Sequence, residues 1–288
     1  MKIAILHEML IKLWWAEKVV ESILKIYPTA DLYTLMYDEQ KVSSVFPKST
    51  IHEQCSNLTS QKIYNISKKQ RLSLPFMAKS VESLDFSAYD RVIVSSSGFA
   101  HGLITKPETK TLIYYHAPAR YMWDRTHEHT RDIGLDRWIK GFIFSKLLLK
   151  LRQWDYVAAQ RNDILLANSS NTQKRILKYF RRNSIVLYPP VETQRFWKTF
   201  SQNEREIALW EISKKTWWND IWNILNSGNY YIIISALTEF KKLDIAVTAF
   251  RKISNTKLIV IWDGDYRGSL EKLAGSNTIF VWVQFWDS

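Results

Sequence analysis

Short runs of consecutive apolar residues alternate along this chain with stretches in which apolar positions recur every three or four residues. The first pattern suits strands buried on both faces and the second suits helices that cover them, so the alternation predicts a parallel α/β sheet. Lys2–His7 reads as the opening strand and Ala16–Ile26 as the first helix, with Val19, Val20, Ile23, Leu24 and Ile26 at helical spacing. Asp31–Met36, Arg91–Ser95, Thr111–His116, Asp163–Asn168 and Ser184–Leu187 follow as strands. Ile139–Ala159 and Asn171–Phe180 read as helices, the second opened by a Ser/Asn/Thr cap region, and the basic stretch Gln61–Ser83 as helical in part. Tyr188-Pro189-Pro190 closes this first unit, residues 1–190. Residues 191–229 have weak periodicity and read as linker plus poorly defined helix. A second α/β unit, 230–288, runs through strand Tyr230–Ser235, helix Lys242–Ile253, strand Lys257–Ile261, helix Tyr266–Ala274 and strand Thr278–Val283. A Rossmann-like unit usually carries about two to three more strands, so this second unit is expected to be truncated.

The punctuation between these elements is unusual. Trp14 and Trp15 stand at the strand-to-helix bend after Lys2–His7, where a nucleotide-type fold wants φ > 0 and a close backbone approach. Trp262 occupies the same kind of bend in Ile261-Trp262-Asp263-Gly264-Asp265, and Trp282 and Trp286 repeat the pattern. A chain of this length would hold about 20 glycines at ~7% usage; this one has 8 Gly and 13 Trp. Only Trp123, Trp154 and Trp197 read as ordinary tryptophans, and exchanging the others for glycine brings the count close to that expectation. The reading is that UGA codons meaning glycine in the source organism stand here as tryptophan. A genuinely Trp-rich or decaying gene is the alternative.

With 288 residues and 46% hydrophobic content the chain can bury a substantial core. No apolar run reaches the ~18 residues of a membrane span, and the strand-like N-terminus does not read as a signal peptide. Its single cysteine, Cys55, excludes an internal disulfide framework and a cysteine-based zinc site and fits a cytoplasmic location. The net charge of +12 points to an anionic partner: a phosphorylated substrate, an acidic membrane face, or nucleic acid. Nucleic acid ranks last because no recognition motif matches.

In open parallel sheets, ligands bind at the carboxyl ends of strands. His7, Ser95–Ser97, His116, Arg120, Asn168, Ser169, Lys241, Lys242 and Asp263 collect there. His116 follows an apolar strand and is either a structural histidine or a functional one. Arg120 and Asp124 are either a plain surface ion pair or acceptor-binding groups, and Lys241 and Lys242 either a solvated helix start or phosphate ligands. Asp263 and Asp265 read best as helix caps, Ser95–Ser97 as turn residues, and Asn168 and Ser169 as turn-and-cap residues with a lesser claim on substrate. His127 and His129 flank Glu128, but a third ligand and a helical frame are wanting, so no metal is expected there. Ile139–Trp154 carries Phe142, Phe144, Leu147, Leu148 and Leu151 with Lys140, Lys146, Lys150 and Arg152, a pattern that either packs on the sheet or lies on an anionic membrane. Lys68-Lys69-Arg71 with Leu72, Leu74 and Phe76 is a second membrane candidate.

The chain resembles the retaining family 4 glycosyltransferases of GT-B architecture, especially the O-antigen and polysaccharide mannosyltransferases. The resemblance covers nearly the whole chain. It rests on Leu13-Trp14-Trp15-Ala16-Glu17 (family pattern Gly-Gly-Ala-Glu), the rather specific run Tyr115-His116-Ala117-Pro118-Ala119-Arg120-Tyr121-Met122-Trp123-Asp124, and Ala167-Asn168-Ser169. It continues in Tyr188-Pro189-Pro190-Val191-Glu192, Phe240-Lys241-Lys242-Leu243-Asp244 and Ile261-Trp262-Asp263-Gly264-Asp265. It implies two Rossmann-like domains facing across a cleft, an N-terminal acceptor-side domain and a C-terminal nucleotide-sugar domain. The implied activity is transfer of a sugar, foremost mannose from GDP-mannose, to a lipid-linked or polysaccharide acceptor in lipopolysaccharide or other surface-glycan assembly. GDP-fucose and UDP-sugars are the competing donors. By the same resemblance His116 is the catalytic histidine near the donor sugar, Lys241 pairs with the diphosphate, and Trp14, Trp15, Arg120, Asn168 and Lys242 fall at substrate-binding positions. No cofactor or metal is implied. Two departures stand out: Ala236 occupies a position that is often arginine, and the Glu-x7-Glu motif that holds the donor is expected beyond Ser288. A cytoplasmic enzyme, peripheral on the inner face of the membrane, is therefore the main expectation. A catalytically inactive truncated homologue that binds only a membrane or a partner is the alternative.

Overall fold

The computed structural model describes residues 1–132, 134, 138–191, 193, 228–253, 255–261 and 264–281. The chain divides into two compact units, Met1–Glu192 and Thr193–Ser288. Most of the stretch read as a linker lies outside the described residues, as do Trp262, Asp263, Trp282 and Trp286.

The first unit runs β1 (Ile3–His7), α1 (Trp15–Ile26), β2 (Asp31–Thr34), α2 (Glu39–Val42), α3 (Thr59–Ser67), α4 (Gln70–Ser73), α5 (Met77–Glu82), β3 (Arg91–Ser96) and β4 (Lys110–Tyr115). It continues with α6 (Thr126–Asp132), α7 (Trp138–Gln160), β5 (Ile164–Ala167), α8 (Ser170–Phe180) and β6 (Ile185–Val186). The strands form one parallel sheet in the order β2-β1-β3-β4-β5-β6. Successive residues of a strand point to opposite faces, and the core divides accordingly. Ala4, Leu6, Val92, Val94, Ile113, Tyr115, Leu165 and Ala167 share one apolar cluster with Ile176 and Phe180 of α8. Ile5, Leu32 and Val20 of α1 build the other, with Ile93 packed against it.

Helix ends follow local chemistry. The Ser169 hydroxyl accepts the Thr172 N–H at 3.2 Å and opens α8, which closes on Arg181 in the left-handed region at φ 55°. Strand β2 stops two residues short of the expected Met36. The chain there leaves the sheet: the Leu35 N–H bonds Glu8 O, and the Leu10 N–H bonds Met36 O. The short helices α2 and α6 had no periodic signature, being little more than one or two turns each.

Trp123 and Trp154 are built-in tryptophans, as the sequence suggests. Trp123 stacks on Tyr179 and donates its indole N–H to Asp155 Oδ2 at 2.6 Å. Trp154 packs beside Phe99 and His101 and donates to Glu82 Oε1 at 2.9 Å. The expectation of φ > 0 at the first bend is wrong. Trp14 is extended at φ −124° and Trp15 is the first residue of α1. Among the described non-glycine residues only Lys68, Arg181 and Lys242 have positive φ.

The second unit contains β7 (Tyr230–Ile234), α9 (Leu243–Phe250), β8 (Lys257–Ile261), α10 (Arg267–Leu273) and β9 (Thr278–Val281). Its strands form a parallel sheet in the order β7-β8-β9. Leu237, Leu243, Val247, Leu258, Val260 and Leu270 form its core. Gly264 has a steric reason to be glycine: a Cβ there would be driven into the Leu237 carbonyl oxygen, within contact distance of backbone that the Tyr266 N–H also bonds at 3.0 Å.

Candidate functional site

The first sheet reverses direction at β1: the chain adds β2 on one side and then crosses to β3 on the other. Crevices for ligands form at such switch points, outside the carboxyl ends of the strands. His7 and Ser95 are register partners at those ends, so their side chains point the same way. His7 Nδ1 lies 3.0 Å from Ser95 Oγ, and the same oxygen lies 2.8 Å from His116 Nε2, just past β4. His7 Nε2 faces Glu17 Oε1 of α1 at 3.6 Å. The other oxygen of Glu17 accepts the Trp14 N–H at 2.8 Å, which makes it the returning half of a capping box. One carboxylate thus caps α1 and begins a buried file of Glu17, His7, Ser95 and His116.

Burial pushes His116 down to about 4; the adjacent His7 helps and Glu17 opposes. His116 is neutral at physiological pH. Burial works to raise Glu17, but its bonds and charge attraction to His7, with the backbone N–H bonds, outweigh that and hold the carboxyl below its ordinary range.

Glu8, next along from His7, serves the opposite face. Its Oε2 accepts the N–H groups of Ser97, Gly98 and Phe99 at 2.9, 2.7 and 2.9 Å, with Ala100 at 3.4 Å. Converging amides of this kind form an anion-binding nest, and here the anion is the protein's own carboxylate. Ser95 and Ser96 end β3 rather than forming a turn, and the amides of the turn after it, Ser97–Ala100, are internally satisfied rather than open to a phosphate. Ser96 Oγ links Glu8 to His101 Nδ1, each at 3.4 Å. His101 Nε2 lies 3.2 Å from Asp155 Oδ1, both side chains being almost wholly buried.

The bend itself is solvent-facing. Trp15 is 87% exposed and Trp14 50%. Lys12 Nζ lies over the Trp14 ring, 3.5 Å from its centroid. Burial lowers Lys12, and the Glu17 charge works against that lowering.

The remaining sequence candidates are dispersed. Arg120 is exposed and pairs with Asp124 at 3.5 Å, while Asp124 is held more closely by Arg175 at 2.9 Å. Asn168 accepts the Ser169 hydroxyl at 3.0 Å, and its N–H bonds Tyr115 O at 3.1 Å, which ties the end of β5 to β4. In the second unit Lys241 ends a short 3-10 turn, with its ammonium 5.6 Å from the Phe240 ring, and Lys242 takes the left-handed conformation that starts α9. His127 and His129 do lie in a helix, α6, contrary to expectation. Positions two apart on a helix do not share a face, and Glu128 between them is paired with Arg125 at 2.6 Å. Sequence reasoning missed Glu8, Lys12 and the role of Glu17. Glu17 carried a signal, since an acidic residue three places after a helix entry predicts a capping contact; Glu8 carried none.

Helix α7 divides its apolar residues. Leu148, Ala158 and Ala159 are buried, and Leu151 and Trp154 pack on the core. Phe142, Leu147 and Leu149 are exposed beside the exposed Lys146 and Lys150. The packed part of the helix fits the sheet-covering reading. Among the described residues no helix is long and apolar enough to cross a membrane.

No protein-family model matches the chain, and neither does any curated protein sequence. Among solved structures, it is similar to Anabaena HepE in complex with UDP, at 14% identity and a TM-score of 0.58, over 99% of this chain and 70% of that one. The HepE complex with UDP and glucose aligns at 15% identity and 0.60, with the same coverage. The lipopolysaccharide outer core galactosyltransferase WaaB, in its apo form, aligns at 13% identity and 0.48 over 99% and 69%, too loosely to carry an argument. At these identities the likeness is one of fold: the chain has the parallel α/β units of the GT-B type.

Proposed function

We propose that this protein is a retaining glycosyltransferase that moves a sugar from a nucleoside diphosphate to a lipid-linked or polysaccharide acceptor in surface-glycan assembly. The observation that carries the reading is His116: a neutral imidazole at the end of β4, beside the switch point of the sheet and braced by Ser95 and His7. In the step proposed, the bond from the anomeric carbon to the diphosphate oxygen breaks. A bond to an acceptor hydroxyl oxygen forms on the same face, and the hydroxyl proton leaves with the diphosphate. His116 hydrogen-bonds the donor sugar. Lys241 and Lys242 offset the charge of the leaving diphosphate. Trp14, Trp15, Arg120 and Asn168 border substrate, and with indoles at the bend the approach of main-chain amides to the diphosphate is obstructed.

GDP-mannose is the donor we favour, on the mannosyltransferase-like motif around His116. A UDP-sugar is the second reading, supported by the UDP-bound HepE structures of like fold. The exposed Phe142, Leu147 and Leu149 with Lys146 and Lys150 support a cytoplasmic enzyme resting on an anionic leaflet, each basic residue there contributing about 1 kcal/mol. Flotation with anionic and neutral liposomes at low and high salt tests this; failure to bind anionic liposomes at low salt removes it. The activity is tested by incubating the chain, with glycine at positions 14 and 15, with a panel of GDP- and UDP-sugars and acceptor membranes. Product with retained anomeric configuration supports the reading. Absence of product from every donor leaves the inactive, binding-only homologue.

A further inference from the structure

Ser95 Oγ stands between two imidazoles and carries one hydrogen, so it can donate to only one of them at a time, while its lone pairs can accept from either. Which way it turns is decided at the far end of the file. The Glu17 carboxylate lies 3.6 Å from His7 Nε2, beyond hydrogen-bond reach, and its negative charge favours the one proton of a neutral His7 on Nε2 rather than Nδ1. His7 Nδ1 then accepts the Ser95 hydroxyl, Ser95 Oγ accepts from His116 Nε2–H, and His116 Nδ1 is left with its lone pair. When His7 takes a second proton, His7 Nδ1–H donates to Ser95 and releases the serine hydrogen. Turning that hydrogen to His116 Nε2, its other neighbour in the file, satisfies it and moves the His116 proton to Nδ1.

We propose that Ser95 ties the tautomer of His116 to the protonation state of His7, so that Glu17, His7 and Ser95 are positioning residues that decide whether His116 Nδ1 accepts or donates a hydrogen bond. The groups facing the file are Glu17 from α1, Lys12 before it, and Tyr114, whose ring lies edge-on to His116 with centroids 5.3 Å apart. Tyr114, pushed by burial to about 12, stays neutral through the range in which an imidazole titrates. Within the file, Glu17 and His7 set the direction. The use a sugar hydroxyl makes of Nδ1 rests on the glycosyltransferase reading; the coupling itself does not.

The test is long-range proton–nitrogen NMR of the 15N-labelled full chain, whose six histidines make assignment by substitution practical. At pH 8, His116 is expected to show protonated Nε2 and unprotonated Nδ1. As pH falls, it should switch to protonated Nδ1 with the same midpoint as His7 charging, while remaining neutral. Ser95→Ala should abolish that coincidence. Glu17→Gln, which keeps the cap geometry, should shift both midpoints together and covers the case in which Ser95→Ala does not fold. A His116 tautomer that stays fixed through the His7 titration, or one that still tracks it in Ser95→Ala, overturns the proposal whatever the transferase assays give.

Discussion

Glu8 and Gly98 are joined by a 2.7 Å hydrogen bond in which the Gly98 N–H meets Glu8 Oε2, the same oxygen that receives Ser97 and Phe99. This one acceptor holds the turn after β3 against the end of β1, and so holds Ser95 against His7. Glu8→Ala strands two buried donors, the Gly98 and Phe99 N–H groups, and a part-buried one at Ser97, and should cost about 2–3 kcal/mol or more. Glu8→Gln keeps an oxygen for the amides and should cost less. Urea unfolding of both variants checks the order; equal stability of Glu8→Ala and the parent chain contradicts it.

His116 gives a signed pH prediction. Its pKa is about 4 in the folded chain and about 6.5 for an unperturbed imidazole. Between those values the unfolded chain binds the extra proton and the folded chain does not, so stability rises with pH. The contribution is complete above about 6.5 and lost as pH falls toward 4, worth up to roughly 3 kcal/mol. Glu17, held below its ordinary range, adds a loss of the same sign at the acidic end of that window. The change in unfolding free energy between pH 7 and 4.5 should be smaller in His116→Gln than in the parent.

The tryptophans should fall into two classes. Trp154 packs against Phe99 and His101 and bonds Glu82, so Trp154→Ala should cost about 3–5 kcal/mol. Trp15 is exposed at the helix start, and Trp15→Gly should cost less than about 1 kcal/mol. Thermal denaturation of the two variants separates the classes. The coding DNA is the independent check: UGA at positions 14, 15, 262 and 282 fits recoding, and UGG there contradicts it.

Trp14→Gly should also release Lys12 from the indole face. The freed ammonium stands beside Glu17 at the crevice, and affinity for a nucleoside diphosphate should rise in Trp14→Gly and fall back in Trp14→Gly with Lys12→Ala. Calorimetric titration reads both; no difference between them removes Lys12 from the site.

Much of the fold was legible because buried parallel strands and their covering helices leave strong periodic signals, as in β1, α1 and α8. Boundaries drifted where the backbone found partners outside its own element, as at Leu35 and Met36, which bond the loop after β1. The candidate site was legible only in part. Its motif and its place at a strand end single out His116 as a candidate. The file behind it depends on the register of β1 against β3, residues 88 positions apart, which periodicity does not encode. Glu8 was invisible for the same reason. The mistaken φ at Trp14 came from carrying a glycine motif's backbone requirement onto this bend, which is extended and helical instead.

The proposal is tested most directly at the carboxyl ends of β1 and β3, where His116 would hold the donor sugar. Release of nucleoside diphosphate from GDP-mannose and a panel of UDP-sugars, with acceptor membranes present, tests it in the W14G/W15G chain and in the same chain carrying H116A. The account predicts saturable release from a preferred donor, reduced about 100-fold or more by H116A. Release that is undiminished in H116A, or absent from every donor in a folded W14G/W15G chain, would contradict it.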